Sequence, residues 1–201
     1  MTIITMPSAG IRAASWSLTD QVEVNRSDWT GNTEVNDIGP PPRWTAKVTI
    51  VPGNEAMMLK WRAFGAQTRG RRNIFKLPAV ERAQTATTGA QVNGSGQTGR
   101  TLNLKGLPVL TTVLVAGRLV AIDTAAGSAS QLFELAADLV TDSGGLATAT
   151  FSTPIRPYFV DGQAVELANP YGLMRMTDVT RGWDVDIVTY TPASFSCEEC
   201  F

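Results

Sequence analysis

Across residues 101–158, short runs of alternating polar and apolar side chains are separated by turn residues, and this rhythm constrains the fold more than any other feature. Thr101-Leu102-Asn103-Leu104-Lys105 alternates strictly; 112–123 reads as a strand pair around Gly117, 131–139 as a third run and 147–151 as a fourth. Gly106-Leu107-Pro108, Ala126-Gly127-Ser128 and Asp142-Ser143-Gly144-Gly145 stand between them. Short strands punctuated about every 8–12 residues by such turns signal an all-β sandwich or barrel. An α/β enzyme fold is excluded for this unit.

The 201-residue chain is long enough for one large β domain or two small ones, and its 43% hydrophobic content suffices for a real core. With 17 basic and 18 acidic residues the net charge is −1, which gives no bulk electrostatic reason for a nucleic-acid or membrane-surface partner. The N-terminal residues lack a basic segment followed by an apolar core, and no run of about 18 apolar residues occurs. A soluble protein made in the cytoplasm is expected. No histidine is present, which removes the commonest general base and the commonest transition-metal ligand together. The chain is expected not to be an enzyme.

Upstream of the alternating unit, 12–24 is strand-like, with Trp16 and Leu18 on one face and Val22 and Val24 recurring later. Arg26-Ser27-Asp28-Trp29-Thr30-Gly31-Asn32 reads as a turn. Trp29 within it is either a core plug or an exposed contact, and the plug is the first reading for so large an aromatic. Residues 37–42 end in three prolines and form an extended connector. In 43–50, Trp44, Ala46, Val48 and Ile50 point one way and Arg43, Thr45, Lys47 and Thr49 the other. Asn54 is then placed to cap a helix over about 55–67, whose Met57, Trp61 and Phe64 make one apolar stripe.

The helix empties into Arg69-Gly70-Arg71-Arg72. Such a cluster is favoured by the helix dipole as a solvated end; the functional alternative is contact with a neighbouring subunit or with DNA phosphates. A short strand is expected over 73–77. Residues 81–99 are rich in Thr, Ala, Gln, Ser and Gly and read as a linker or long loop. Near the end, 173–179 and 183–190 read as a hairpin across Thr180-Arg181-Gly182. A lone hairpin is unstable, so the pair is expected to return to the first sheet and make the middle unit an insertion. The resulting division is 1–85 with 171–201 as one β domain, 86–100 as a flexible linker, and 101–170 as a second, barrel or sandwich domain.

Several motifs carry chemistry on paper. Gly94-Ser95-Gly96-Gln97-Thr98-Gly99 satisfies G-x-G-x-x-G, but the motif needs a strand before it and a helix after it, and here a strand follows. No cofactor is expected. Cys197 and Cys200 have metal-clip spacing, yet two thiolates make half of a four-ligand site. The expected state is free cysteines in a loose terminal segment, a site shared between subunits being the alternative. Glu134, Asp138 and Asp142 offer an accidental carboxylate pair of the kind glycosidases use. Ser152 and the other serines have no base for a triad.

The order of several short features resembles the distal tail or tail-tip proteins of long, non-contractile-tailed bacteriophages. They are Trp16-Ser17-Leu18, Trp29-Thr30-Gly31, the strand beginning at Trp44, and the helix with Trp61 closing on Arg69-Gly70-Arg71. Gln97-Thr98-Gly99, the stretches 116–122 and 138–145, Thr153-Pro154-Ile155-Arg156 and Ser194-Phe195-Ser196-Cys197-Glu198-Glu199 continue the match over nearly the full length. The resemblance implies a ring, typically six-fold, between the tail tube and the tip or baseplate hub, with a channel through which DNA passes unread. It also implies a tail-tube-like β-sandwich flanked by one helix, with a peripheral β domain facing outward. The expected partners are further copies of the chain, the tail tube protein and the hub, and no membrane. The expected location is the virion tail tip, after assembly in the bacterial cytoplasm. A carbohydrate-binding β module resting on Trp29 and Trp183 is the competing expectation, and a hydrolase using Glu134 or Asp138 a third.

Overall fold

The computed structural model describes residues 2–19, 22–37, 42–51, 53–123, 130–156, 158–178 and 193–200. The fold is mainly β, in several sheets, with one helix among the described residues. The largest sheet has six strands. It is built from β1 (Ile3–Ile4), β2 (Ile11–Thr19), β5 (Arg43–Ile50), β6 (Ile74–Pro78), β15 (Tyr171–Met176) and β16 (Ala193–Glu199), in the order β1-β6-β15-β16-β5-β2. All neighbours are antiparallel except β1 and β6.

The alternation read in 43–50 decides which face is covered. Ala46, Val48 and Ile50 are buried with Phe75, Leu77, Met174, Met176 and Cys197 under α1 (Glu55–Thr68). The Asn54 side chain accepts from the Met57 N–H at 2.9 Å, satisfying one of the helix's orphan donors. Trp61 and Phe64 carry the stripe into the core, and Phe64 stacks edge-on to Phe75 with ring centroids 5.1 Å apart. The Trp61 indole donates to the Ala9 carbonyl at 2.8 Å. The helix ends where Arg69 takes a left-handed conformation with φ 49°.

Between β6 and β15 the chain builds a second core. Three short sheets wrap it. They are β11 (Ser130–Glu134), β10 (Leu119–Asp123) and β14 (Val165–Glu166); β12 (Leu139–Val140) with β9 (Thr112–Leu114); and β13 (Ala147–Thr150), β8 (Thr101–Lys105) and β7 (Gln91–Val92). None of them closes into a barrel among the described residues. Leu102 and Leu104, the apolar half of the first alternating run, are fully buried with Val120, Ile122, Phe151 and Phe159. Phe133 and Phe151 stack at 4.2 Å.

Three local readings change. Residues 86–100, expected as a linker, contribute β7, and Ala90 and Val92 are buried in the second core. The segment holding Cys197 and Cys200, expected to be loose, is strand β16 and its end, inserted between β5 and β15 with both cysteines buried. In place of a hairpin partner, β15 is flanked by β6 on one side and β16 on the other, with Met176 opposite Cys197; residues 183–190, the second half of the hairpin expected from the sequence, lie outside the described residues.

Candidate interaction surfaces

Among the described residues, one element stands outside both cores. β3 (Val22–Arg26) and β4 (Thr33–Asp37) form a two-stranded ribbon that pairs with no other described strand. Val24 stands opposite Val35, at 59% and 61% exposure. All residues from 24 to 35 are exposed. At the tip, the Ser27 N–H donates to the Asn32 carbonyl and the Gly31 N–H to the Ser27 carbonyl, each at 2.9 Å. Gly31 supplies the left-handed φ of 70° that this closure needs. Thr30 N–H adds a bond to Ser27 Oγ at 3.3 Å. Trp29 rides on this fastened turn at 98% exposure. It is therefore not a core plug. The turn's own hydrogen bonds fix its backbone while the ribbon carries it away from either core.

A groove of about 270 Å³ runs between the N-terminal segment and α1, lined by Met6, Pro7, Lys60, Ala63, Phe64 and Gln67. It is shallow and mainly apolar, with Thr5, which also lines it, Gln67 and the Lys60 ammonium as its polar groups. The helix and its exit, 55–72, carry Lys60, Arg62, Arg69, Arg71 and Arg72 against the single Glu55. Arg71 Nε donates to the Thr177 carbonyl at 2.6 Å, so part of the cluster ties the helix exit to the end of β15. A wider depression of about 450 Å³ lies beside Val80, Glu81, Arg82, Ala83 and Arg118.

Other polar groups gather where the two cores meet. Trp44, Ala121 and Leu132 are buried together there, with Trp16, Leu18, Ala79 and Leu119 packed around them. Glu199 is fully buried at this junction; it accepts from Leu132 N–H at 2.8 Å, Trp44 N–H at 3.3 Å and Arg156 Nη2 at 3.4 Å. Burial pushes its carboxyl up to about 6, while the bonds from Leu132, Arg156 and Trp44 work the other way. Arg156 is lowered by burial and by Arg43, and raised by Glu199. Nearby, Lys76 Nζ donates to the Tyr171 hydroxyl at 2.6 Å, and that hydroxyl donates to Asp123. Burial and the Asp123 carboxylate push the phenol above its usual value, further from ionisation at neutral pH. This cluster fastens β6 and β15 to β10.

The motifs singled out in the sequence are spread apart. In the 94–99 loop the Gly94 N–H donates to Asp161 Oδ1 at 2.8 Å, the Gln97 amide donates to the Asn93 and Gly94 carbonyls, and β8 follows. The backbone donors are turned on the protein's own groups. Asp138 accepts from Ala116 N–H at 2.7 Å, and Asp142 from Gly144 and Leu146 N–H at 2.8 and 2.9 Å, so both carboxylates fasten turns. Cys197 is in the core beneath α1, and Cys200 is packed with Ile74 and Leu173 in a different cluster. Burial pushes the Cys197 thiol up to about 12, which disfavours the thiolate that metals and disulfide exchange require. Among the described residues no three His, Cys, Asp or Glu side chains are grouped to hold a metal ion. No described helix is long and apolar enough to cross a membrane. A scan against protein-family models finds no match to this chain, and a search of curated proteins finds no significantly similar sequence.

Proposed function

We infer that the chain is a structural subunit of a bacteriophage tail tip, forming a ring, six-fold by the resemblance, that joins the tail tube to the hub and leaves a channel for DNA. The six-stranded sheet with α1 takes the part of the tail-tube-like sandwich with its flanking helix, and the 101–170 unit that of the peripheral barrel or sandwich domain. Its mechanism is geometric. Each subunit offers one surface to the next, and a heterologous contact that closes makes a ring. The partners are copies of the same chain, the tail tube protein and the hub; the location is the virion tail tip, after assembly in the host cytoplasm.

The observation that carries this reading is the exposed ribbon. A two-stranded ribbon with no third strand among the described residues gains little stability of its own in water, and this one sets Val24, Val35 and Trp29 in solvent. Such an element is completed by a partner. Light scattering on a sizing column, with negative-stain images, tests the reading: particles of about six subunits with a central hole are expected. A monomer that also fails to cap isolated tail tubes would refute it.

The exposure of Trp29 also favours a second reading, carbohydrate binding, because an exposed indole is a common stacking platform. Glycan-array binding that Trp29→Ala abolishes, in a protein that stays monomeric, would select that reading over the ring.

A further inference from the structure

We propose that the ribbon of one subunit docks along α1 of the next, with Trp29 seated in the groove formed by Met6, Pro7, Lys60, Ala63, Phe64 and Gln67. This deepens the ring reading and rests on it.

Charge is the first argument. The near-zero total conceals two opposed regions. Over the described side chains of the ribbon, 24–35, the chain carries Asp28 and Glu34 against Arg26 alone. Over 55–72 it carries five cations against Glu55. An acidic arm and a basic helix on one chain attract each other between copies, and like surfaces repel. A self-complementary two-fold contact, ribbon on ribbon, would set acid against acid. The favoured contact is therefore heterologous, the kind that propagates around a ring.

Size is the second argument. Five residues per strand plus the turn span roughly 20 Å at about 3.3 Å per residue, and a 14-residue helix such as α1 is about 21 Å long. With Trp29 at its tip in the groove, the ribbon runs over the last turns of α1 and on past the helix end, so its acids meet Lys60 near the tip and Arg69 and Arg72 further along. Ala63, exposed on α1, keeps that path low beside the groove.

Chemistry at the tip is the third. The groove offers the half-buried Met6 and Pro7 and the exposed Ala63 to the indole, over a floor closed by the buried Phe64, with Lys60 beside it as a cation at the ring. Trp29 is 98% exposed, so it does not fill this groove in its own subunit. The basic helix exit, left open between a solvated end and a subunit or DNA contact, becomes a landing site for acidic protein.

A photoreactive benzoylphenylalanine at position 29 of the full chain tests this, irradiated in an equal mixture of ¹⁵N-labelled and unlabelled protein under ring-forming conditions. Because Trp29 is exposed, the change leaves folding intact. Mixed-isotope crosslinks from position 29 to peptides covering 5–7 or 60–67 are the expected result. Lys60→Glu with Arg72→Glu should weaken assembly at least tenfold, and Asp28→Lys with Glu34→Lys in the same chain should restore it. Rings that form while position 29 crosslinks elsewhere, or only within one copy, overturn the docking and leave the ring reading standing. A chain that neither assembles nor caps tail tubes overturns both.

Discussion

Trp44 donates its indole Nε1–H to the backbone carbonyl of Leu132 at 2.9 Å, across the boundary between the six-stranded sheet and the second core. Leu132 lies in β11, an edge strand whose other side pairs with β10. Its N–H is taken by Glu199 Oε1 at 2.8 Å. Two side chains from the larger sheet thus occupy both polar groups of one buried residue on the side of β11 away from β10, which satisfies them and holds the units together.

Removing the indole N–H should therefore cost more than removing a surface hydrogen bond. Trp44→Phe keeps an aromatic ring in the cluster with Trp16, Leu18 and Leu119 but leaves the buried Leu132 carbonyl without this donor. A loss of about 1–3 kcal/mol is expected in urea unfolding, the penalty for an unsatisfied buried acceptor. Leu132→Ala, which opens a cavity while keeping both backbone bonds, should cost about 2–5 kcal/mol. A Trp44→Phe protein as stable as the parent would show that the bond is dispensable.

Glu199 makes the junction pH-sensitive in a direction opposite to most carboxylates. Its folded-state value of about 6 lies above the ordinary carboxyl value, because burial disfavours the charge. The folded protein therefore holds this proton more tightly than the unfolded chain. The associated stability is fully present below the unfolded value near 4.5 and is lost as pH rises through about 6. Its full size is about 2 kcal/mol. Unfolding free energies at pH 5 and 7.5 should show the fall in the parent protein. Glu199→Gln should be less stable at both, with that fall removed; an unchanged pH slope in the variant would assign the dependence to other groups.

What the sequence made legible was local. The alternation of 43–50, the Asn54 cap and the Met57-Trp61-Phe64 stripe are short-range patterns, and each element formed within a residue or two of its expected bounds. What stayed hidden was set at long range. Glu199 and Trp44 are 155 residues apart, and no neighbour of Glu199 in sequence signals that its charge will be buried. Cys197 and Cys200 looked like a loose end because the strands covering them come from the 43–50 and 171–176 segments. Ala90 and Val92 were masked by the polar residues around them, since a strand of two residues leaves no periodicity to read. Trp29 failed the general expectation for tryptophan because the turn around it is closed by its own backbone, without needing the indole as an anchor.

The burial of both cysteines gives a direct test. In the native protein neither should react with a thiol reagent on the minute timescale, and two equivalents should react in denaturant. Added zinc should leave the melting temperature unchanged. A zinc-dependent rise in the assembled protein would revive the shared site.

The turn 142–145 should be intolerant of side chains at its last position. Gly145 has φ 70°, its N–H donates to the Asp142 carbonyl and its carbonyl accepts from Leu107 N–H. A Cβ there would overlap the Leu107 carbonyl. Gly145→Ala combines a left-handed alanine, about 1–2 kcal/mol, with that overlap, so a loss of at least about 2 kcal/mol is expected in thermal or urea unfolding. Gly117→Ala, also at positive φ but with open space around its Cβ position, should cost only the conformational part. Equal losses at the two positions would show that the overlap relaxes freely.

Trp29 should report assembly through its own fluorescence. Trp44 and Trp61 are buried and Trp16 is half-buried, so among the described tryptophans Trp29 is the most open to an aqueous quencher. In dilute protein iodide should quench a red-shifted component that Trp29→Phe removes, without changing the melting temperature by more than about 1 °C, since an exposed side chain contributes little to stability. As concentration rises into the assembling range, seating the indole against Met6, Pro7 and Ala63 should shield it, and that component should shift to the blue. Because an acidic ribbon and a basic helix drive the contact, high salt should move the transition to higher protein concentration. Quenching that stays constant from monomer to ring would mean that Trp29 remains in solvent in the assembly, and the ribbon would then have to serve a different neighbour.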